Sequence, residues 1–153
     1  GSADADATKD SGAGGATHCG DGIVEPPEQC DPGSTTPTAT DPCTASCTLD
    51  WWNPAWSVRY QILFDNRAQT TALSDFPVAI VLYDSFDYSS VESGGDDIRF
   101  VDADDTTVLS YEVDTWSGAG GKSVLWVKVP KIDAASNADY VWMYVKNPAA
   151  SAG

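Results

Sequence analysis

Carboxylates are the reactive side chains that this sequence offers in number. It has 23 Asp and Glu residues against one histidine, His18. Nucleophilic catalysis needs a base beside the nucleophile, and His18 adjoins a Gly/Ala/Ser-rich stretch that offers no positioned partner. A pair of carboxylates could hydrolyse a glycosidic bond, but most of these acids lie in turn sequences, where Asp hydrogen-bonds to its own backbone. The sequence therefore predicts a protein that is not an enzyme.

Calcium binding is a more plausible role than catalysis for the clustered carboxylates, because calcium binds carboxylate and carbonyl oxygens. One candidate cluster lies among the cysteines, where disulfides would bring its members together: Asp21, Glu28, Asp31 and Asp41. A second group lies in a turn that lacks the glycine and final glutamate of an EF-hand loop: Asp102, Asp104 and Asp105. Solvated surface acids are the alternative for both groups. Calcium at the first cluster is the one cofactor that the sequence predicts.

Exposed aromatic side chains could bind a carbohydrate, since an indole face stacks on the C–H surface of a sugar ring. The chain has six Trp and six Tyr residues. Trp126 and Trp142 fall within strand-like runs and are predicted to pack in the core. Trp116 precedes the glycine-rich segment 118–121, and Trp52 lies where the aromatic residues begin. We predict that Trp116 and Trp52 bind the ligand. The alternative for Trp52 is that it packs the cysteine-rich segment against the part of the chain that follows it.

Arg99 and Glu112 are a candidate charged pair in the same region. Arg99 lies in one short strand-like run, and Glu112 follows Tyr111 in the next run. Neighbouring strands would place the two side chains within reach of a bidentate ion pair. We predict that this pair is partly buried, either as a structural contact or as part of the ligand pocket.

The net charge of −15 limits the partners. A strongly negative field repels polyphosphate and anionic lipid surfaces, which argues against nucleic-acid binding. No apolar run approaches the ~18–20 residues of a membrane-spanning helix. The sequence predicts a polysaccharide or cell-surface glycan as the partner, without membrane insertion by this segment.

The composition divides the chain into three parts. Residues 1–17 are rich in Gly, Ala, Ser and Asp and are predicted to be a flexible linker with a tag remnant at its start. Residues 18–50 hold all four cysteines and no aromatic residue, whereas residues 51–150 are rich in aromatic and β-branched residues. We predict a cysteine-rich disulfide module over 18–50 and a β-sandwich domain over 51–150.

Disulfides must replace an apolar core in residues 18–50, because the prolines and glycines there prevent regular helices and central strands. Small modules of this kind occur in oxidising compartments, which predicts an extracellular or cell-surface protein. Four cysteines can pair in three ways, and their spacing does not choose among them. We predict an interleaved pairing because it would draw both Asp-rich loops around one centre: Cys19 with Cys43, and Cys30 with Cys47.

Strand-like runs of apolar, aromatic and β-branched residues follow one another through the third part: residues 56–65, 76–83, 98–101, 108–113, 123–129 and 139–145. No apolar stripe with a 3.6-residue period accompanies them. This pattern predicts an all-β fold, an antiparallel β-sandwich of jelly-roll-like form. Residues 89–95 are predicted to contain a short helical turn.

The cysteine-rich segment resembles the Myxococcus cysteine-rich repeat. The matching residues are Cys19-Gly20-Asp21-Gly22, Glu28-Gln29-Cys30-Asp31-Pro32-Gly33, Cys43 and Cys47. The usual DGC before the third cysteine is Asp41-Pro42-Cys43 here. The resemblance implies an exported or surface protein and implies no reaction.

Residues 51–150 resemble domain of unknown function 2341 (DUF2341) in the order and spacing of their motifs. The matching segments are Phe76-Pro77-Val78, residues 97–104, Tyr111-Glu112-Val113, Trp116, residues 125–130 and residues 140–148. Two family glycines are replaced, by Asp105 and by Lys146. The resemblance implies a secreted bacterial protein, often with a lectin-like domain after this one, so a further C-terminal domain is expected in the full-length protein.

These observations predict a non-catalytic carbohydrate-binding or adhesion module of an exported bacterial surface protein. The aromatic residues, the acidic field and the exported context support it. The alternative is a structural spacer that displays a downstream domain.

Overall fold

A computed structural model describes residues 19–34, 36–37 and 42–153 of the chain. The predicted linker 1–17, His18 and the predicted metal ligand Asp41 lie outside these residues. Contacts within the chain separate two compact units, with the boundary between Thr48 and Leu49.

The first unit is held by two disulfides, and its described residues form turns rather than helices or strands. Cys19 pairs with Cys47 and Cys30 pairs with Cys43, so the interleaved prediction is wrong. The cause is local: backbone hydrogen bonds between Thr44 and both Cys47 and Thr48 close a turn directly after Cys43. This turn places Cys43 and Cys47 on opposite arms, and the nested pairing follows.

The second unit contains seven strands, which confirms the predicted all-β class. The strands are β1 (Val58–Leu63), β2 (Leu73–Leu82), β3 (Arg99–Asp102), β4 (Val108–Leu109), β5 (Tyr111–Thr115), β6 (Ser123–Ile132) and β7 (Tyr140–Val145). One antiparallel sheet has the order β1-β7-β3-β4 and the other has the order β2-β6-β5. Their inner faces enclose the core, so the unit is a β-sandwich.

The predicted strand 108–113 is divided in two. Its first part, β4, pairs with β3 in the four-stranded sheet, whereas β5 pairs with β6 in the three-stranded sheet. The chain therefore crosses between the sheets near Ser110. The helical turn predicted within 89–95 is present as two short 3-10 turns, Tyr88–Ser90 and Ser93–Gly95. Within the described part of the chain, no helix is long and apolar enough to cross a membrane.

The core follows the two-residue period of the strands. In β6, the inward side chains Leu125, Val127 and Val129 are fully buried, while the alternate residues face outward. Trp126 is one of these and is 43% exposed, so its predicted place in the core is wrong. Trp142 is only half-buried, since its ring packs on the outer face of the four-stranded sheet.

Candidate functional site

The four predicted ligand-binding residues do not converge on one site. Trp116 is half-buried and packs against the core. Its ring meets Tyr88 edge-on at 5.6 Å between centroids, and it covers Gly95 so closely that a Cβ there would lie 2.9 Å from the indole. Trp116 therefore supports the 3-10 turns instead of projecting as an open platform.

Arg99 and Glu112 do not form the predicted ion pair. Arg99 lies in β3 of the four-stranded sheet and Glu112 in β5 of the other sheet, so they are not on neighbouring strands. The Arg99 guanidinium donates instead to the backbone carbonyls of Asp96, Ile98 and Ser151. The prediction failed because the chain changes sheets between the two residues.

Trp52 belongs to an aromatic cluster on the outer face of the four-stranded sheet. Its ring lies 5.1 Å from that of Trp56 and 5.5 Å from that of Tyr144, between centroids. Its backbone N–H donates to the Tyr144 hydroxyl. Trp52 is thus packed within the second unit.

Arg59 lies at the centre of this aromatic surface, and sequence reasoning missed it. Its guanidinium lies 3.9 Å from the centroid of the Trp142 ring and 4.9 Å from that of Trp51. It also forms a 2.8 Å ion pair with Asp105, while the Tyr144 hydroxyl donates to the same carboxylate. We call Arg59, Trp51, Trp142, Tyr144 and Asp105 the Arg59 cluster. The polar groups of Arg59, Asp105 and Tyr144 bind one another and form a structural network, whereas the indole N–H of Trp51 is buried without a hydrogen-bond partner among the described residues.

Tyr144 has the clearest perturbed ionisation in this cluster. Burial raises the pKa of its phenol, and the hydrogen bond to the Asp105 carboxylate raises it further, to about 12. The nearby Arg59 opposes this shift. Tyr144 therefore remains a neutral hydrogen-bond donor at neutral pH.

The outer face of the three-stranded sheet presents an exposed aromatic side chain, Trp126. Trp126 lies at the middle of the central strand, and its cross-strand neighbours are Ala79 and Glu112. Side chains paired across antiparallel strands project from the same face, so the small Ala79 leaves one flank of the indole open. Lys128 follows two residues later on this face. We call Ala79, Glu112, Val124, Trp126 and Lys128 the Trp126 face.

The sequence did contain the signal for this face. In residues 123–129 the aliphatic side chains Leu125, Val127 and Val129 alternate with Val124, Trp126 and Lys128. Because a strand directs alternate residues to opposite faces, the charge on Lys128 identifies the solvent face, and Trp126 shares it. Only Glu112, of the four predicted ligand-binding residues, lies on the Trp126 face.

The acids of the first unit mostly bind their own backbone. The Asp31 carboxylate accepts hydrogen bonds from the N–H groups of Gly20, Asp21, Gly22 and Gly33 at 2.5–3.2 Å. Partial desolvation raises the pKa of Asp31, but these four donors together lower it below its ordinary value. Asp31 therefore organises the turn around Cys19 and Cys30.

Asp21 and Glu28 each cap a nearby backbone N–H as well, at Ile23 and Glu25 respectively. A carboxylate oxygen of Glu28 also lies within 4.8 Å of the sulfurs of Cys19 and Cys47, but these sulfurs are joined in a disulfide and are not thiolate ligands. The second carboxylate oxygen of Glu28, Oε1, is buried and accepts no hydrogen bond from the part of the chain that the structure describes. Calcium binding in this unit stays a prediction.

The second acidic group is engaged in a similar way. Asp104 accepts hydrogen bonds from the backbone N–H groups of Thr106 and Thr107 and from the Thr107 hydroxyl, which lower the pKa of its carboxyl. Asp105 binds Arg59 and Tyr144. These carboxylates hold the turn between β3 and β4.

Comparison with known proteins identifies part of the second unit. Residues 94–153 match the model of a family described as Domain of unknown function (DUF2341). No curated protein and no solved structure matches the chain. The matched part of the chain contains β3 to β7 and the Trp126, Glu112 and Lys128 side chains of the Trp126 face.

Backbone geometry explains the two replaced glycines of the DUF2341 pattern. Asp105 has a φ of 54° and Lys146 a φ of 66°, a region that glycine occupies without the steric cost of a Cβ. Both residues therefore adopt a backbone conformation that favours glycine. At Asp105 the side chain compensates by binding Arg59 and Tyr144, whereas Lys146 is exposed.

Replacing Lys146 by glycine is expected to stabilise the second unit. Relief of the left-handed strain exceeds the added entropy of the unfolded chain, and we expect a gain of about 0.5–1 kcal/mol. Chemical denaturation measures it. Lys146→Ala retains the Cβ and serves as the control; an equal gain in that variant would show that removal of the lysine side chain, and not the backbone, was responsible.

Proposed function

We propose that this chain is a non-catalytic carbohydrate-binding or adhesion module of an exported bacterial surface protein, and that it binds a polysaccharide or cell-surface glycan through the Trp126 face. The observation that carries the proposal is the 43% exposure of Trp126 at the centre of a sheet. The side chain faces outward and is not held in the core, so its indole is available to stack on a ligand.

The Trp126 face offers the two kinds of contact that a sugar needs. The indole supplies an apolar surface for the C–H face of a pyranose ring, and Ala79 leaves room beside it. Glu112 supplies a carboxylate that accepts hydrogen bonds from hydroxyl groups, and Lys128 supplies a donor. The sheet backbone holds the three side chains on a rigid element, which limits the entropy lost on binding.

The exported location is supported by the cysteines. All four are joined in disulfides, and the described part of the chain has no free cysteine. Such bonds persist in oxidising compartments. The net charge of −15 further disfavours nucleic acids and anionic membranes as partners.

A glycan array followed by calorimetry with the best-binding glycan tests the function. Trp126→Ala is expected to lower the affinity about tenfold or more, because the stacking surface is lost. Phe76→Ala is the matched control: Phe76 is exposed to a similar extent, 42%, but its cross-strand partner Val129 belongs to the buried face. The affinity of the Phe76→Ala variant for the glycan should equal that of the unmodified chain.

The same experiment separates the alternative, a structural spacer that displays a further domain. A spacer would give no reproducible binding to the array. Binding that survives Trp126→Ala would place the glycan elsewhere on the molecule, and hydrolysis of a bound polysaccharide would contradict the non-catalytic proposal.

A further inference from the structure

An apolar groove of about 550 Å³ opens between β1 and β2, the edge strands on one side of the sandwich. Four inward residues of these two strands are only half-buried there, unlike the inward residues of the central strands. They are Tyr60 and Ile62 of β1 and Leu73 and Val78 of β2. The buried side chains of Ile80, Leu82 and Met143 also line the groove. On this side, therefore, the core is open to solvent.

The two strands beside the groove differ in their ability to accept another strand. In β2, Pro77 has no N–H to donate, and Asp75 has a φ of 47° and no partner in the register with β6. Both features interrupt pairing along an edge. β1 pairs with β7 in continuous register over six residues and contains no proline and no acid. Its second edge carries unpaired N–H and C=O groups.

The other edge strands are also less suitable. β4 has only two residues. β5 contains Glu112 and Asp114, and its register with β6 is irregular between Val113 and Thr115. Of the edge strands in the described part of the chain, β1 alone combines a regular backbone with an adjacent apolar groove.

We propose that the β1–β2 groove binds an extended segment of a partner protein. The segment pairs with β1 as a fifth strand of the four-stranded sheet, and its alternate apolar side chains fill the groove. Ala79 lines this groove as well as the Trp126 face, but Trp126, Glu112 and Lys128 do not line the groove.

Charge decides the chemistry of the partner. The chain carries 23 acidic against 8 basic residues. Asp65 lines the groove and is ion-paired with Arg67. Asp84 and Asp87 lie within two residues of the lining residue Phe86 in the sequence. A second copy of this chain would bring the same charge of −15 to the interface, and its repulsion opposes pairing. The segment that fits has apolar residues on one face and basic residues on the other.

Titration of the full chain with a designed peptide tests the proposal. The probe alternates Val and Lys and is long enough to pair with the six residues of β1; a Val/Glu peptide and a Val/Lys peptide with a central proline are the controls. We expect saturable binding of the Val/Lys probe alone. Backbone amide resonances of β1 should shift, and those of β4 and β5 should not.

Matched substitutions locate the site. Leu63 lines the groove and is 60% exposed, so Leu63→Lys is compatible with folding and should lower the affinity for the probe about tenfold by charge repulsion. Val108, 50% exposed in β4, provides the control Val108→Lys, which should bind as the unmodified chain does. Trp126→Ala should also leave probe binding unchanged, whatever its effect on glycan binding.

Several outcomes would overturn the proposal. Absence of binding by the Val/Lys probe, equal binding of the Val/Glu peptide, or unchanged affinity in Leu63→Lys would each do so. Sedimentation that showed a concentration-dependent dimer, abolished by Leu63→Lys, would make a second copy the occupant and would contradict the proposed partner.

Discussion

Replacement of Asp97 by alanine is expected to lower the free energy of unfolding of the second unit by about 3–5 kcal/mol. Asp97 is completely buried. Its carboxylate accepts hydrogen bonds from the backbone N–H groups of Glu92 at 2.8 Å, Lys146 at 2.6 Å and Asn147 at 3.1 Å. Alanine would leave these three donors without an acceptor, and the cost of an unmade buried hydrogen bond exceeds the gain of a made one.

The expected effect of Asp97→Ala extends from the 3-10 turns to the end of β7. The carboxylate joins the segment that contains Glu92 to the positive-φ turn at Lys146, and the Asp97 carbonyl accepts from the indole N–H of Trp56 at 2.5 Å. One side chain thus fixes segments that are distant in sequence. Its loss should increase amide exchange at Glu92, Lys146 and Asn147 before global unfolding.

Denaturation followed by tryptophan fluorescence measures this effect, because all six Trp residues lie in the second unit. Asp97→Asn keeps the shape and one acceptor oxygen and should cost less than alanine. Asp96→Ala removes an exposed carboxylate from the adjacent position and should leave the unfolding midpoint unchanged. Equal midpoints for Asp97→Ala and Asp96→Ala would show that the buried hydrogen bonds contribute no net stability.

The strands could be predicted from sequence because each carries its own two-residue pattern. Leu125, Val127 and Val129 are buried for a reason that is local to β6. The division of 108–113 between two sheets could not be predicted in this way, because strand pairing depends on partners far along the chain. Arg99 and Glu112 were paired wrongly for the same reason: a short sequence separation does not show that the chain has crossed between sheets.

Residues with an unusual backbone or a buried charge were the hardest to interpret from sequence. Asp97 was one acid among several in a turn-like segment, and only the structure shows that backbone donors surround it. Asp105, a member of the second candidate calcium group, has a positive φ and forms an ion pair with Arg59. Asp31, a predicted calcium ligand, accepts hydrogen bonds from four backbone N–H groups, and calcium binding there stays a prediction. In each case the sequence alone does not identify the donors that the carboxylate binds.

Replacement of Arg59 by alanine is expected to destabilise the second unit by about 2–3 kcal/mol. The guanidinium is only 20% exposed, pairs with Asp105 at 2.8 Å, and lies over the rings of Trp142 and Trp51. Its removal leaves the partly buried Asp105 carboxylate without its cation and uncovers both indoles. Arg67→Ala is the matched control, since Arg67 pairs with Asp65 while both side chains are more than half exposed. Such surface pairs contribute little, and the unfolding midpoint should stay the same.

The Arg59 cluster also predicts how stability changes at high pH. Because the pKa of Tyr144 rises from its ordinary value of 10.0 to about 12 in the folded unit, its proton is bound more tightly in the folded than in the unfolded chain. The stability that this proton contributes is fully present below pH 10 and is lost as the pH rises toward 12. The midpoint temperature of thermal unfolding of the unmodified chain should therefore fall over this range. In Tyr144→Phe, which has no phenolic proton to lose, the midpoint should fall less. If the two chains lost stability in parallel between pH 10 and pH 12, the pKa of Tyr144 would not be raised in the folded unit, which would contradict both its burial and its hydrogen bond to Asp105.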